Sequence, residues 1–129
     1  MRDKKMTMQP QLITRVRVDE VKAADAGLIA VMRFSGDITS TSRDVVFGGY
    51  QEVPSSTRRL VFDFSKVEYM NSSGIALIIE LLMAAKKENR TVQTFGLSPH
   101  FQKVFIMVGL NKYTHLHPDE ATACAAFAD

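Results

Sequence analysis

The chain has 129 residues, 46% of them hydrophobic and 23% charged. That is the size of one compact domain with apolar material for one core, and it excludes a wholly disordered chain. A formal net charge of +2, with its basic clusters at Arg2, Lys4, Lys5 and at Arg58, Arg59 far apart in sequence, argues against a concentrated nucleic-acid-binding face. A single cysteine, Cys124, excludes a disulfide within the chain.

Residues 1–10 read as a flexible N-terminal tail, carrying charges and no apolar stretch of signal-peptide length. The domain proper is expected over 11–129. From Ile13 to Val18 apolar and polar residues alternate, the period of a half-buried strand. A turn over 23–27, with Asp25 and Gly27, leads to a β-branched and aromatic run over 28–34, so the two strands form a hairpin. Gly36 and Asp37 are expected to end the second strand. Hydroxyl residues 39–42 offer caps for a helix whose buried side would be Val45, Val46, Tyr50 and Val53. Gly48 and Gly49 in its middle predict a short or kinked helix.

Leu60 to Phe64 reads as a central strand, followed by a loop. The clearest helix runs over 75–88, nearly apolar through its first three turns, with Lys86 and Lys87 at its C-terminal end where cations suit the dipole. Its longest apolar run, 75–85, is broken by Glu80 and too short to span a membrane. A strand over 91–95 follows. Ser98-Pro99 then opens a helix with Val104, Phe105 and Val108 as its stripe and Gly109 at its end. A short strand over 113–116 and a closing helix over 118–127 complete the order β-β-α-β-α-β-α-β-α. This predicts an α/β domain with a mixed, mostly parallel sheet of about five strands and helices packed against it.

The segment from Val61 to Gly74 carries the functional signal: a buried strand with Asp63, then Tyr69-Met70, then Asn71-Ser72-Ser73-Gly74 at a helix start. Free N–H groups there favour negative charge, so a phosphate on a serine would suit the position and add about −1.5 to −2 charge. The bland alternative is that Asn71, Ser72 or Ser73 simply caps the helix.

This segment resembles the signature of the STAS domain, shared by bacterial anti-sigma factor antagonists and the cytoplasmic ends of sulfate transporters. Gly36-Asp37-Ile38 upstream and Leu97-Ser98-Pro99, Phe105 and Gly109-Leu110 downstream extend the resemblance over residues 13–127. It implies a single STAS-like domain and a binding protein, not an enzyme. Ser72 would be the acceptor of phosphate from a partner anti-sigma factor that is itself a serine kinase. A phosphatase would reset the switch. Asp37, Thr39, Asn71, Ser73 and Gly74 would form the partner-binding surroundings. Asn71 and Thr39 stand where antagonists commonly place Asp, which lowers the acidity around the acceptor. A non-phosphorylated STAS subunit of a membrane-transport or other regulatory assembly is the alternative.

ATP and Mg²⁺ would belong to the kinase, since no glycine-rich phosphate loop is present, and no cofactor is expected. His115 and His117 would share a strand face but lack completing ligands at a convincing spacing, so no metal is expected. Ser72 or Ser73 with a histidine and Asp63 could be drawn as a hydrolytic triad, but the Gly-x-Ser-x-Gly elbow is absent. Asp63 with Glu68 as an acid–base pair has no better support. Cys124, in an Ala-rich stretch, reads as a small buried hydrophobe, and the seven methionines as packing residues. A cytoplasmic protein without direct nucleic-acid contact or membrane insertion is expected, with a homodimer open.

Overall fold

The structure, a computed structural model, describes residues 12–127 except Ala26. The expected tail over 1–10 lies outside the described residues. Five strands form one sheet in the order β1-β2-β3-β4-β5: β1 (Arg15–Lys22), β2 (Leu28–Ile38), β3 (Arg59–Met70), β4 (Thr91–Phe95) and β5 (Thr114–His117). β1 pairs antiparallel with β2, and every later pair is parallel, as the hairpin followed by alternating units predicts. The helices are α1 (Arg43–Gln51), α2 (Ser72–Lys87), α3 (Pro99–Met107) and α4 (Glu120–Ala125).

Period-two alternation divides the sheet into two unequal faces. Ala30, Met32 and Phe34 of β2 and Leu60, Phe62 and Phe64 of β3 join the main core with Val46 and Tyr50 of α1, Leu77, Ile78, Leu81 and Leu82 of α2, and Phe101 and Phe105 of α3. Its centre is aromatic: Phe34 stacks on Phe64 at 4.9 Å between centroids, and Phe105 meets Phe64 edge-on at 5.8 Å. The opposite face holds a smaller cluster of Ile29, Val31, Val61, Phe95 and Ala123, covered by α4.

Gly49, expected to weaken α1, is what lets it dock. A β-carbon there would overlap the Val16 side chain of β1. Close approach of helix to strand therefore outweighs the propensity cost of about 1 kcal/mol. The helix is short, nine residues, as expected; Val46 and Tyr50 are buried, whereas Val45 faces solvent. On α3 the buried stripe is Phe101 and Phe105; Val108, expected within it, is exposed. Gly109 follows in the left-handed region.

Two strands outrun their expected ends. β2 continues through Gly36 and Asp37 to Ile38, because β3 also continues and pairs with it: Gly36 faces Val67, Asp37 faces Tyr69 and Ile38 faces Met70. The expected loop after Phe64 is thus strand. It is hidden in the sequence because two register shifts, between Arg33 and Ser35 and between Gly36 and Asp37, each give β3 one extra residue. At those places neighbouring pairs, Ser65-Lys66 and Glu68-Tyr69, are both exposed, which erases the alternation.

An exposed ion pair closes the hairpin end of the sheet. Arg59, the first residue of β3, reaches Asp25 in the β1–β2 turn at 2.7 and 3.0 Å, and this bond holds the Asp25 carboxyl at about 2. The Asp19 carboxyl is lowered chiefly by its hydrogen bond from Arg33, and that of Asp119 by the backbone N–H of Thr122 at the start of α4. Carboxyls lowered on folding add stability that is full above their unfolded values and is lost as pH falls through the folded ones. Thermal midpoints should therefore fall from pH 5 toward about pH 2, and Asp25→Asn should flatten part of that slope. Scanning calorimetry across this range checks it. Phe34→Ala, which empties the centre of the aromatic cluster, should cost about 3–5 kcal/mol in urea unfolding.

Candidate functional site

β3 ends at Met70, beside Ile38 at the end of β2, and the chain turns directly into α2. Asn71 takes the N-cap position in extended conformation, and its side-chain oxygen accepts from the Gly74 N–H at 2.8 Å. Its own N–H donates to the Ile38 carbonyl at 3.3 Å. Gly74 packs on that same carbonyl, so closely that a β-carbon would overlap its oxygen. The glycine of the motif is thus needed for close approach, and the helix start is fastened to the end of β2 from two sides.

With Asn71 as the cap, the two serines are released from that task. Ser72 and Ser73 occupy the first two helical positions, and both are exposed. Among the described residues neither hydroxyl makes a hydrogen bond, and their N–H groups belong to the first turn, where no intrahelical partner exists. The site can therefore accept negative charge on Ser72 without loss of the cap.

The other expected partner-binding residues divide into surface and support. Thr39 is buried; it caps the 3-10 turn Ser40–Ser42, accepting from the Thr41 N–H at 3.4 Å and donating its own N–H to Ser42 Oγ at 2.9 Å. Gly74 is buried as well. Both shape the site from beneath instead of presenting it. Asp37 is half-buried and accepts from the Leu12 N–H at 3.1 Å. Ser73 joins Thr39, Ser40, Arg43, Ala76, Leu77 and Glu80 around a depression of about 240 Å³.

Arg43 and Glu80, which pair across this depression, were not singled out by sequence reasoning. The spacing does carry a signal for Glu80: residues 73, 76, 80, 83 and 87 fall on one face of a helix. All five are exposed. The near-continuous apolar run conceals this, because Ala76 and Met83 look like core residues. Beyond Glu80 the same face reaches a second depression of about 730 Å³, lined by Phe47, Met83, Ala84, Lys86, Lys87 and Tyr113.

Asp63 lies elsewhere. It is buried on β3, seven residues before Met70 and so roughly 20 Å from the helix start. Arg33 reaches it at 3.0 Å, and its other oxygen accepts from Ser65 N–H and hydroxyl at 2.8 and 2.6 Å. Arg33 also bonds Asp19 at 2.6 Å and Glu120 at 2.8 Å, and the Glu120 bond is the largest of the effects that raise its pKa. Asp63 is thus an anchor of an ionic cluster joining β1, β2, β3 and α4, distant from both serines and from any acid–base role with the exposed Glu68.

His117 bonds the Gln93 side chain at 2.8 Å, and burial lowers its pKa. No group of three metal-ligating side chains is present among the described residues. Cys124 is half-buried within α4, where burial raises the thiol. Among the described residues no helix is long and apolar enough to cross a membrane.

The family model described as "Mlab, STAS domain" matches residues 26–118. Among solved structures the chain is similar to an anti-sigma factor antagonist from Mycobacterium paratuberculosis, with 22% identity and a TM-score of 0.74 over 91% of this chain and 96% of that one. It is also similar to the Bacillus cell fate determinant SpoIIAA in its phosphorylated form, with 17% identity and a TM-score of 0.58 over 86% and 98%. A murine Solute Carrier 26 family anion transporter matches with 13% identity and a TM-score of 0.65 over 93% of this chain but 22% of the transporter. These are likenesses of fold. No curated protein matches the sequence.

The helix-start geometry predicts an ordered pair of effects. Asn71→Ala should cost about 0.5–2 kcal/mol through the lost cap, with Asn71→Asp close to neutral. Gly74→Ala should cost about 1–3 kcal/mol by forcing α2 off Ile38. Denaturant unfolding of the three variants measures both.

Proposed function

The chain belongs to the STAS domain family, and from that membership we propose that it is an anti-sigma factor antagonist, a binding module switched by phosphorylation of Ser72. Its partner is an anti-sigma factor that is also a serine kinase, and a phosphatase restores the unmodified form. The observation that carries this reading is the division of labour at the start of α2. Asn71 caps the helix, so the exposed Ser72 hydroxyl is left free for modification.

Phosphate there would place about −1.5 to −2 charge at a helix N-terminus, where the dipole favours it. α2 would stay folded, and the change would be felt by whatever docks on the surface. That surface is the exposed face of α2 from Ser73 through Ala76 and Glu80, with Arg43 beside it. Thr39 and Gly74 hold it in place from below. The ATP and Mg²⁺ belong to the kinase, and this chain performs no chemistry of its own. Residues 11–129 form the binding domain, working in the cytoplasm and without direct contact to nucleic acid.

A second reading, a constitutive STAS subunit of a membrane-transport or other regulatory assembly, is favoured by one observation. The cap is the uncharged Asn71, and the Thr39 hydroxyl is committed to its own turn, so the site lacks the acids common in phosphorylated antagonists.

Ser72→Ala should bind the cognate kinase constitutively, and Ser72→Asp or the phosphorylated chain at least about tenfold more weakly, a change of about 1.4 kcal/mol. Calorimetric titration with the purified kinase checks this. Equal binding by both variants overturns the switch. A native pull-down that recovers membrane-transport subunits and no kinase, with Ser72 unmodified by mass spectrometry, supports the second reading.

A further inference from the structure

Among the described residues β1 is an edge strand, paired with β2 alone. It runs eight residues without a bulge, since its register with β2 is continuous from Arg15 to Lys22, and it contains no proline. Long regular edges are ready templates for another strand, and proteins usually blunt them with bulges, prolines or charged side chains. β1 has neither bulge nor proline. Its charges are of both signs and ordered, Arg15-Val16-Arg17-Val18-Asp19-Glu20-Val21-Lys22, so they reject most partners and suit one.

The pairing with β2 fixes which backbone groups are free. Ala23 donates to the Gly27 carbonyl at 2.8 Å, in the same register as the ladder. Antiparallel ladders alternate hydrogen-bonded and non-bonded pairs, so the odd residues 15 to 21 turn their N–H and C=O toward β2. Val16, Val18, Glu20 and Lys22 turn theirs outward.

We propose that this edge pairs with β1 of a second copy, antiparallel about a two-fold axis at Val18, joining two five-stranded sheets into one. The charges select this register. With Val18 opposite its own counterpart, the outward groups of Val16 meet those of Glu20 from the other chain. Arg17 of each copy then faces Asp19 of the other in a non-bonded pair, the closer kind. A slip of two residues between the chains in one direction keeps two opposite pairs, Arg15 against Asp19, but adds Arg17 against Arg17 at the axis; the same slip in the other sets Asp19 against Asp19 and keeps none. A slip of four sets Arg15 against Arg17, or Glu20 against Glu20.

The groups that would meet are also prepared. Arg33 holds the Asp19 carboxylate in place at 2.6 Å, while Arg17, which reaches Asp19 of its own chain at 3.1 Å, is 72% exposed and can turn across. Exposed Leu12 and Ile13, just before β1, would approach the far end of the partner's β1. The arrangement is isologous, so it closes at two copies. The serines at the start of α2 lie off this edge, beyond the ends of β2 and β3, and stay available in the pair.

The register gives a test by cross-linking in a Cys124→Ala chain. Cα atoms of a bonded antiparallel pair sit about 5.5 Å apart, within disulfide reach. Val18→Cys should therefore form a two-chain disulfide under mild oxidant. Glu20→Cys, whose copies would be about 14 Å apart, should not. Sedimentation velocity of the unaltered chain should show a concentration-dependent dimer. Arg17→Glu, an exposed change expected to keep the thermal midpoint, should weaken it roughly tenfold by opposing like charges twice. A chain that stays monomeric at several hundred micromolar overturns the proposal. So does a Glu20→Cys cross-link as fast as that of Val18→Cys, or a dimer indifferent to Arg17→Glu.

Discussion

The carbonyl of Ile38 and the α-carbon of Gly74 meet with no room between them for a β-carbon, and the geometry of the whole upper end of the sheet follows from that contact. Ile38 is the last residue of β2, and its carbonyl also receives the Asn71 N–H. One oxygen thus fixes both the cap and the third residue of α2. The direction in which the helix leaves the sheet, and the faces it turns to core and solvent, are set there. Leu77, Ile78, Leu81 and Leu82 drop onto the sheet, so 73, 76, 80 and 83 must look outward. The exposed serines are a consequence of a packing constraint made by other residues.

The sheet beneath is held differently on its two sides. One face is a deep core in which stacked and edge-on phenylalanines supply area and shape. Among the described residues the other has only α4 to cover it, and there Arg33 gathers Asp19, Asp63 and Glu120 from three elements. A charge of one sign surrounded by three of the other, at a half-open position, keeps its hydrogen bonds without full desolvation. It also fixes the docking of a helix only six residues long, too short to be held by propensity.

Much of this was legible in the residues. The element order, the parallel strands after the hairpin and the presence of the long apolar helix are all written in periodicity and capping chemistry, although that helix begins at Ser72, three residues before the expected 75. What escaped did so for identifiable reasons. Gly49 looked like a helix breaker because propensity is local, whereas its use, contact with Val16, is not. The second half of β3 looked like loop because two register shifts scrambled its alternation. Asp63 fitted neither a triad nor an acid–base pair in the sequence, and only the fold shows its use, with Arg33 opposite it. The choice among Asn71, Ser72 and Ser73 as the cap could not be made from the residue types, since all three can cap; the extended backbone of Asn71 decides it.

The two surplus residues of β3 have a bearing on how this protein could vary. Between Arg33 and Asp37 the chain advances four positions on β2, while the matching stretch of β3, from Asp63 to Tyr69, advances six. That difference works as a phase setting: it decides at what rotation the strand delivers Asn71 to Ile38. Lys66, Glu68 and Tyr69 are exposed, and their identities are open to drift. Their number is not. Removing one would turn every later side chain of the strand to the opposite face and present α2 to the sheet by the wrong side, so variation in this stretch is confined to exchanges of one residue for another.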